Sequence, residues 1–181
     1  MTENKNPKNF IQNNEIYICG AFDSSIVDIL SELRRLIETE SKKTDPKITF
    51  IINSDGGQTD MLKILLTEIE KAKTLNIVVK TIVHSNAYSA GSILAMSGTK
   101  GNRYISEHAQ HLIHYGSAGF TAYTPLQLDR NTAYLKEHFE WVKKMYVKYA
   151  TVKNLNEVIL DDNYRIYGQD IIENGLADKF V

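Results

Sequence analysis

The 181-residue chain has a single cysteine, Cys19, which excludes an internal disulfide and a multi-cysteine zinc site and fits a reducing compartment. Cys19 itself reads as a small buried hydrophobe. Charge of one sign is equally scarce: 21 Lys and Arg against 22 Asp and Glu leave −1, which gives neither nucleic acid nor an anionic membrane an electrostatic hold. No run is long and apolar enough to span a bilayer, and the first residues are too polar for a signal peptide, so the chain reads as cytoplasmic. The Gly-x-x-x-x-Gly-Lys-Ser/Thr pattern that cradles nucleotide phosphates is missing. There are only three prolines, and each sits where a helix or strand is not interrupted: Pro7 in an Asn- and Lys-rich leader, Pro46 in a charged turn, Pro125 at a helix start. What remains is ordinary globular composition, 43% hydrophobic and 24% charged, which predicts one core-forming domain, 15–181, behind a flexible leader, 1–14.

Apolar periodicity then orders the domain. Glu15 to Cys19 reads as a strand ended by Gly20, and Ser24 or Ser25 caps a helix from about Ile26, whose apolar face is Ile26, Ile29, Leu30, Leu33, Leu36 and Ile37. The charged stretch from Glu38 to Lys47 reads as a solvated loop. Ile48 to Asn53 is a β-branched and aromatic run expected to be covered on both faces of a parallel sheet. A helix follows over about Thr59 to Thr74, with Leu62, Leu65, Leu66, Ile69 and Ala72 inward and Lys63, Glu68, Glu70 and Lys71 outward. A strand from Ile77 to Val83 precedes a helix containing Ile93 to Met96, completing a β-α-β series with right-handed crossovers. Short strands are expected at 103–105 and 111–114, a flexible turn at 116–119, and a long helix after Thr124-Pro125. That helix carries Leu128, Leu135, Phe139, Val142, Tyr146 and Tyr149 along one face, a stripe that suits either a core or an oligomer contact. Two short helices follow, over 154–160 and 168–175.

The chemistry centres on Asn86-Ala87-Tyr88-Ser89-Ala90-Gly91-Ser92, where small residues crowd one hydroxyl at a strand-to-helix switch. Unpaired N–H groups at a helix start stabilise negative charge developing on a substrate oxygen, which suits acyl transfer by Ser89. From these residues alone, Ser89 and Ser92 suit capping or packing of a buried helix better than catalysis. Ser54-Asp55-Gly56-Gly57 ends a buried strand, so the amides of Gly56 and Gly57 approach a ligand without side-chain obstruction. With the N–H of Ala90 they supply the two donors that an oxyanion requires. Hydrolysis of this kind needs no cofactor and no metal.

Four motifs in register, 51–57 (Ile-Ile-Asn-Ser-Asp-Gly-Gly), 87–92 (Ala-Tyr-Ser-Ala-Gly-Ser), Leu112-Ile113-His114 and Gly175-Leu176-Ala177-Asp178, resemble the proteolytic subunit of the Clp proteases over Glu15 to Phe180. The resemblance implies an α/β fold of crotonase-like, repeated βαβ type. It also implies a serine endopeptidase acting on polypeptides, assembled as a homo-oligomer of two stacked seven-membered rings. The long helix, near Pro125–Ala150, takes the place of the handle that joins the rings. Ser89 corresponds to the nucleophile and His114 to the general base, since a near-neutral imidazole takes the serine proton and returns it to the leaving amine. Histidines 84, 108, 111 and 138 are expected to be structural, with His111 on the opposite face of its strand from His114. For the orienting acid, Asp162 is the choice. An ungapped alignment puts Asn163 in its place, and Asp161 is a further alternative.

Asp55 stands where that family has proline, Tyr88 where it has a small residue, and Tyr115-Gly116 where it has glutamine and proline. Tyr88 is expected to narrow the cleft, and Asp55 to set an unfavourable charge beside the oxyanion donors. The segment before Glu15 is shorter than the family's axial segment, which argues against partnership with an AAA+ unfoldase. Three other readings stay open: a specialised capsid-processing protease, a catalytically impaired homologue that binds or regulates host Clp subunits, and a crotonase-like enzyme of acyl-CoA thioesters. The Ser89 and His114 pair disfavours the last, because hydratases generally use carboxylates.

Overall fold

The β-branched apolar runs become strands, and the long segments of period 3.6 become helices laid against them. The computed structural model describes residues 9–117, 120–161 and 163–181. In chain order the elements are β1 (Asn9–Gln12), β2 (Glu15–Ile18), α1 (Ser25–Glu40), β3 (Lys47–Ser54), α2 (Thr59–Thr74), β4 (Val78–Tyr88) and α3 (Ala90–Met96). They continue with β5 (Arg103–Ile105), β6 (Gln110–Leu112), α4 (Pro125–Tyr149), α5 (Leu155–Val158), β7 (Arg165–Tyr167), α6 (Gly168–Glu173) and β8 (Lys179–Phe180). The strands form one mixed α/β sheet in the order β1-β2-β3-β4-β5-β8, with β6 pairing β4 and β7. All pairs are parallel except β1 with β2 and β6 with β7.

β4 organises the site. Thr81 to Val83 pair with β5, whereas Asn86 to Tyr88 pair with β6, so one strand serves two neighbours in succession. It runs five residues beyond the expected Val83 end and delivers Ser89 to the edge of the core.

In-phase alternation makes one sheet face fully covered: Ile16, Ile18, Ile48, Phe50, Ile52, Val79, Val83 and Ile105 are all buried. On the opposite face Ile51 of β3 is buried too, as expected of a strand covered on both sides, whereas its neighbours Tyr17, Ile82 and Tyr104 are only half-buried. Three expectations change. Residues 9–12, assigned by composition to the leader, form β1, and Asn13 and Asn14 take left-handed φ values of 51° and 65° to turn the chain into β2. The charged stretch after Leu36 is not all solvated loop: α1 runs to Glu40, whose buried carboxylate accepts from Lys43 Nζ (2.6 Å) and the Lys47 N–H (3.3 Å). Glu68 faces inward and accepts from Arg34 Nε at 2.7 Å, because α1 packs against α2 there and brings a cation within reach. β7 and β8 carry too few residues to show a period and went unpredicted.

α4 starts with a capping box: Thr124 Oγ1 accepts from the Gln127 N–H (3.3 Å) and Gln127 Oε1 from the Thr124 N–H (3.0 Å), ahead of Pro125. Its predicted stripe is split. Val142 and Tyr146 are buried in the core, whereas Leu128 is 59% exposed, along with Tyr123, Leu126 and Tyr134 at the same end of the helix. No helix is long and apolar enough to cross a membrane among the described residues.

A clamp closes the far end. Arg103 donates to Asp178 through Nη2 (2.6 Å) and Nε (3.1 Å), and to the carbonyls of Tyr149 (2.8 Å) and Gly175 (3.0 Å). Burial raises the Asp178 pKa, but the hydrogen bonds and charge of Arg103, with the Gly101 N–H, outweigh it and hold the carboxyl below its usual range. A depressed carboxyl stabilises the fold above its unfolded pKa of about 3.9 and loses that contribution as pH falls through the lower folded value. Asp178→Asn is therefore expected to lower the urea midpoint at pH 7, with the gap to the native protein closing below pH about 4.

Candidate active site

Ser89 is the joint between β4 and α3. Its N–H donates to the Leu112 carbonyl of β6 at 2.9 Å, and its backbone sits at φ 53°, ψ −118°, a conformation that costs a non-glycine residue about 1–3 kcal/mol. Such a turn swings the side chain out of the sheet and leaves the first N–H groups of α3 pointing past it.

Beside it, Ser54 Oγ donates to the Gly20 carbonyl and accepts from the Gly56 N–H at 3.1 Å, pinning the turn after β3. The Gly56 carbonyl accepts from the Phe22 N–H (2.9 Å), and the Gln58 N–H donates to the Phe22 carbonyl (2.8 Å). In this parallel bridge the Gly57 N–H is turned away from Phe22, and Gly57 lines the cavity. The two glycines thus differ from the shared role expected of them. Gly56 has its amide engaged and supplies space, since a Cβ there would lie 2.8 Å from both Ser89 Cβ and the Tyr88 carbonyl. Gly57 has no such engagement with Ser54 and remains the candidate donor.

A cavity of about 620 Å³ opens here, lined by Ser89, Ala90, Gly57 and His114. Ser89 and His114, 25 positions apart, come together because β6 lies beside the last residues of β4 and hands the chain on to His114. The backbone on either side of His114 is held by one loop: the Ile113 N–H donates to the Tyr164 carbonyl (3.2 Å) and the Tyr115 N–H to the Ile159 carbonyl (3.1 Å). Asp162 in that loop lies outside the described residues. Asp161 Oδ1 accepts from the Asn163 N–H at 2.8 Å, and both side chains are exposed, as in a local turn.

Asp55 lines the cavity, exposed, with its carboxylate held by Asn86 Nδ2 at 3.4 Å. Solvent and that amide screen its charge. Tyr88 does not line the cavity. Arg165 of β7 stacks on its ring at 5.7 Å.

One wall escaped the sequence reading. Tyr134, His138 and Trp141 of α4 line the cavity, with Lys63 Nζ 5.4 Å from the Trp141 ring. Burial and then Lys63 hold the His138 pKa below its usual value, against the opposing pull of the Tyr115 backbone and Asp60. Their spacing of four and three marks one helical stripe, but only contact with the other elements reveals that it faces a cavity.

A second serine–histidine pair lies beneath. Ser92 Oγ and His111 Nδ1 are 2.9 Å apart, with both residues fully buried. Burial, then Arg103, drives the His111 pKa down to about 3, so it is neutral and sealed from any substrate. Among the described residues no cluster of three or more His, Cys, Asp or Glu is arranged to hold a metal ion.

A sequence model of the Clp protease family matches residues 2–181. ATP-dependent Clp protease proteolytic subunit 1 of Protochlamydia amoebophila is 29% identical over 175 residues, covering 94% of this chain and 82% of its own. The ATP-dependent Clp protease proteolytic subunit of Deinococcus radiodurans is 27% identical, covering 83% of this chain and 72% of its own. Subunit 4 of Rhodococcus jostii is also 27% identical, covering 92% and 83%. With the family matched over nearly all of its residues, this chain belongs to the Clp protease family.

Proposed function

We propose that the chain is a serine endopeptidase in which Ser89 Oγ attacks the carbonyl of a bound polypeptide. The observation that carries this is the shared cavity of Ser89, His114, Gly57 and Ala90 at a strained strand-to-helix joint. His114 takes the Ser89 proton and returns it to the leaving amine, and water then releases the acyl group by the reverse route. The N–H groups of Gly57 and Ala90 receive the oxyanion. Asp162 is proposed to orient His114, on the support that its loop binds the backbone on both sides of that histidine. Asp161, the alternative, already accepts the Asn163 N–H through Oδ1, which favours Asp162. Tyr134, His138 and Trp141 form the wall against which an extended substrate packs.

The crotonase-like reading is supported by the successive parallel steps β2-α1-β3, β3-α2-β4 and β4-α3-β5. Assembly into stacked seven-membered rings is supported by the exposed apolar start of α4, which the single subunit leaves uncovered. The relatives are named ATP-dependent, and this chain has no phosphate-cradling motif, so any use of ATP here would belong to a separate unfoldase.

Labelling with a fluorophosphonate, located by peptide mass, tests this reading. The expected adduct is on Ser89 and not on Ser92, and His114→Ala removes it. No adduct on the assembled protein would leave the regulatory reading in its place.

A further inference from the structure

The Ser92–His111 pair is an expensive way to fill a core. Two atoms beside it, His111 Nε2 and the Tyr146 hydroxyl, are buried with no hydrogen-bond partner among the described residues. Burial raises the Tyr146 pKa, although the hydroxyl lies beside Ser92 and the His114 backbone, outside hydrogen-bond geometry. An unpartnered buried polar atom destabilises the fold, and apolar residues of similar volume would avoid that.

The position of the pair gives it a use. Ser92 lies one turn into α3 from Ser89, and its N–H donates to the Ser89 carbonyl at 3.0 Å. His111 lies in β6, three residues before His114, and pairs with Ala87 of β4 and Ile166 of β7. The Ser89 N–H to the Leu112 carbonyl is one tie between the start of α3 and β6, and Ser92 Oγ with His111 Nδ1 is a second, one turn along. The far end of α3 is held separately, by Thr81 Oγ1 on the Ala95 carbonyl (2.7 Å). At the end that carries Ser89, the Ser92–His111 bond is the side-chain tie that fixes the rotation of the first turn against β6.

We infer that the buried Ser92–His111 hydrogen bond positions the active site, locking the helix that carries Ser89 and the Ala90 N–H against the strand that leads to His114. The pair touches no substrate. Its effect passes through the orientation of α3, so it acts on the chemical step and not on binding. The inference rests on the peptidase reading above.

The test compares Ser92→Ala, His111→Val, the double variant and His111→Asn, whose amide offers a polar atom near the place of Nδ1. Peptide hydrolysis gives kcat and KM separately, fluorophosphonate labelling gives the reactivity of Ser89, and a urea midpoint reports folding. Ser92→Ala removes one oxygen and is the variant expected to keep the fold, with a lowered urea midpoint because buried His111 Nδ1 loses its partner. Misplacement on the ångström scale costs reaction rates about ten- to a hundredfold, so kcat and the labelling rate are expected to fall by that much in Ser92→Ala and His111→Val, with KM within about twofold. The double variant is expected to fall no further than the worse single, because both members break one bond. His111→Asn is expected to restore most of the rate.

Unchanged kcat and labelling in folded Ser92→Ala and His111→Val would overturn the inference and leave a packing pair. Losses that are additive, or that His111→Asn does not reduce, would overturn it too. A native protein whose Ser89 does not label removes the peptidase reading, and this inference falls with it. A native protein that labels beside variants that label equally well removes the inference alone.

Discussion

Ser89→Gly is expected to abolish peptide hydrolysis, by about 10⁴-fold or more in kcat, while making the protein more stable. The two effects share one cause. At φ 53°, ψ −118° a serine carries strain of about 1–3 kcal/mol, which glycine does not feel. Glycine gives back about 0.5–1 kcal/mol in unfolded-chain entropy, leaving a net gain of about 1 kcal/mol. Ser89→Ala isolates the chemistry, with the same loss of hydrolysis and no gain in stability, because its Cβ keeps the strain. Chemical denaturation alongside a peptide assay separates the two. Hydrolysis surviving in either variant would move the nucleophile elsewhere. A fold no more stable with glycine would mean that the joint is not strained.

Gly57→Ala is expected to lower kcat by about 10²–10³-fold, the loss typical of one oxyanion donor. Gly57 sits at φ 141°, and a Cβ there would stand 2.7 Å from the Phe22 carbonyl oxygen and 2.8 Å from its nitrogen. Those neighbours are backbone, held by the Phe22 bonds to Gly56 and Gln58, so they do not yield as the end of a flexible side chain does. The 55–58 turn must move instead, carrying the Gly57 N–H off the oxyanion position. Ser89 and His114 stay in place, so fluorophosphonate labelling is expected to slow as well, since the tetrahedral phosphorus adduct needs the same donors. Near-normal hydrolysis in a folded Gly57→Ala would assign the donor to another amide.

Much of this site was legible from residue type and spacing. A small-residue stretch around Ser89 between an apolar strand and helix-forming residues already placed a hydroxyl at a helix start, and α2 was bounded at Thr59 and Thr74 as observed. The glycines after β3 were legible as a close approach, because glycine is needed where a Cβ has no room. Less legible was which amide faces the cavity. That depends on the bridge to Phe22, some 35 positions away in the chain, which consumes the Gly56 carbonyl and Ser54's hold on the Gly56 N–H. Glu68 and Glu40 were read as solvated because charge alone predicts exposure; cations and amides from other elements made their burial tolerable.

By itself the sequence determined the order of strands and helices, the serine at the elbow and the glycines beside it, since local period, turn chemistry and steric need are written in neighbouring residues. Only the tertiary structure decided that Ser89 and His114 share one cavity, that Tyr134, His138 and Trp141 wall it, and that Ser92 and His111 are sealed beneath it. Those outcomes turn on which side of β4 its second partner takes and on where α4 crosses α3, and both are settled by long-range packing that no local pattern records.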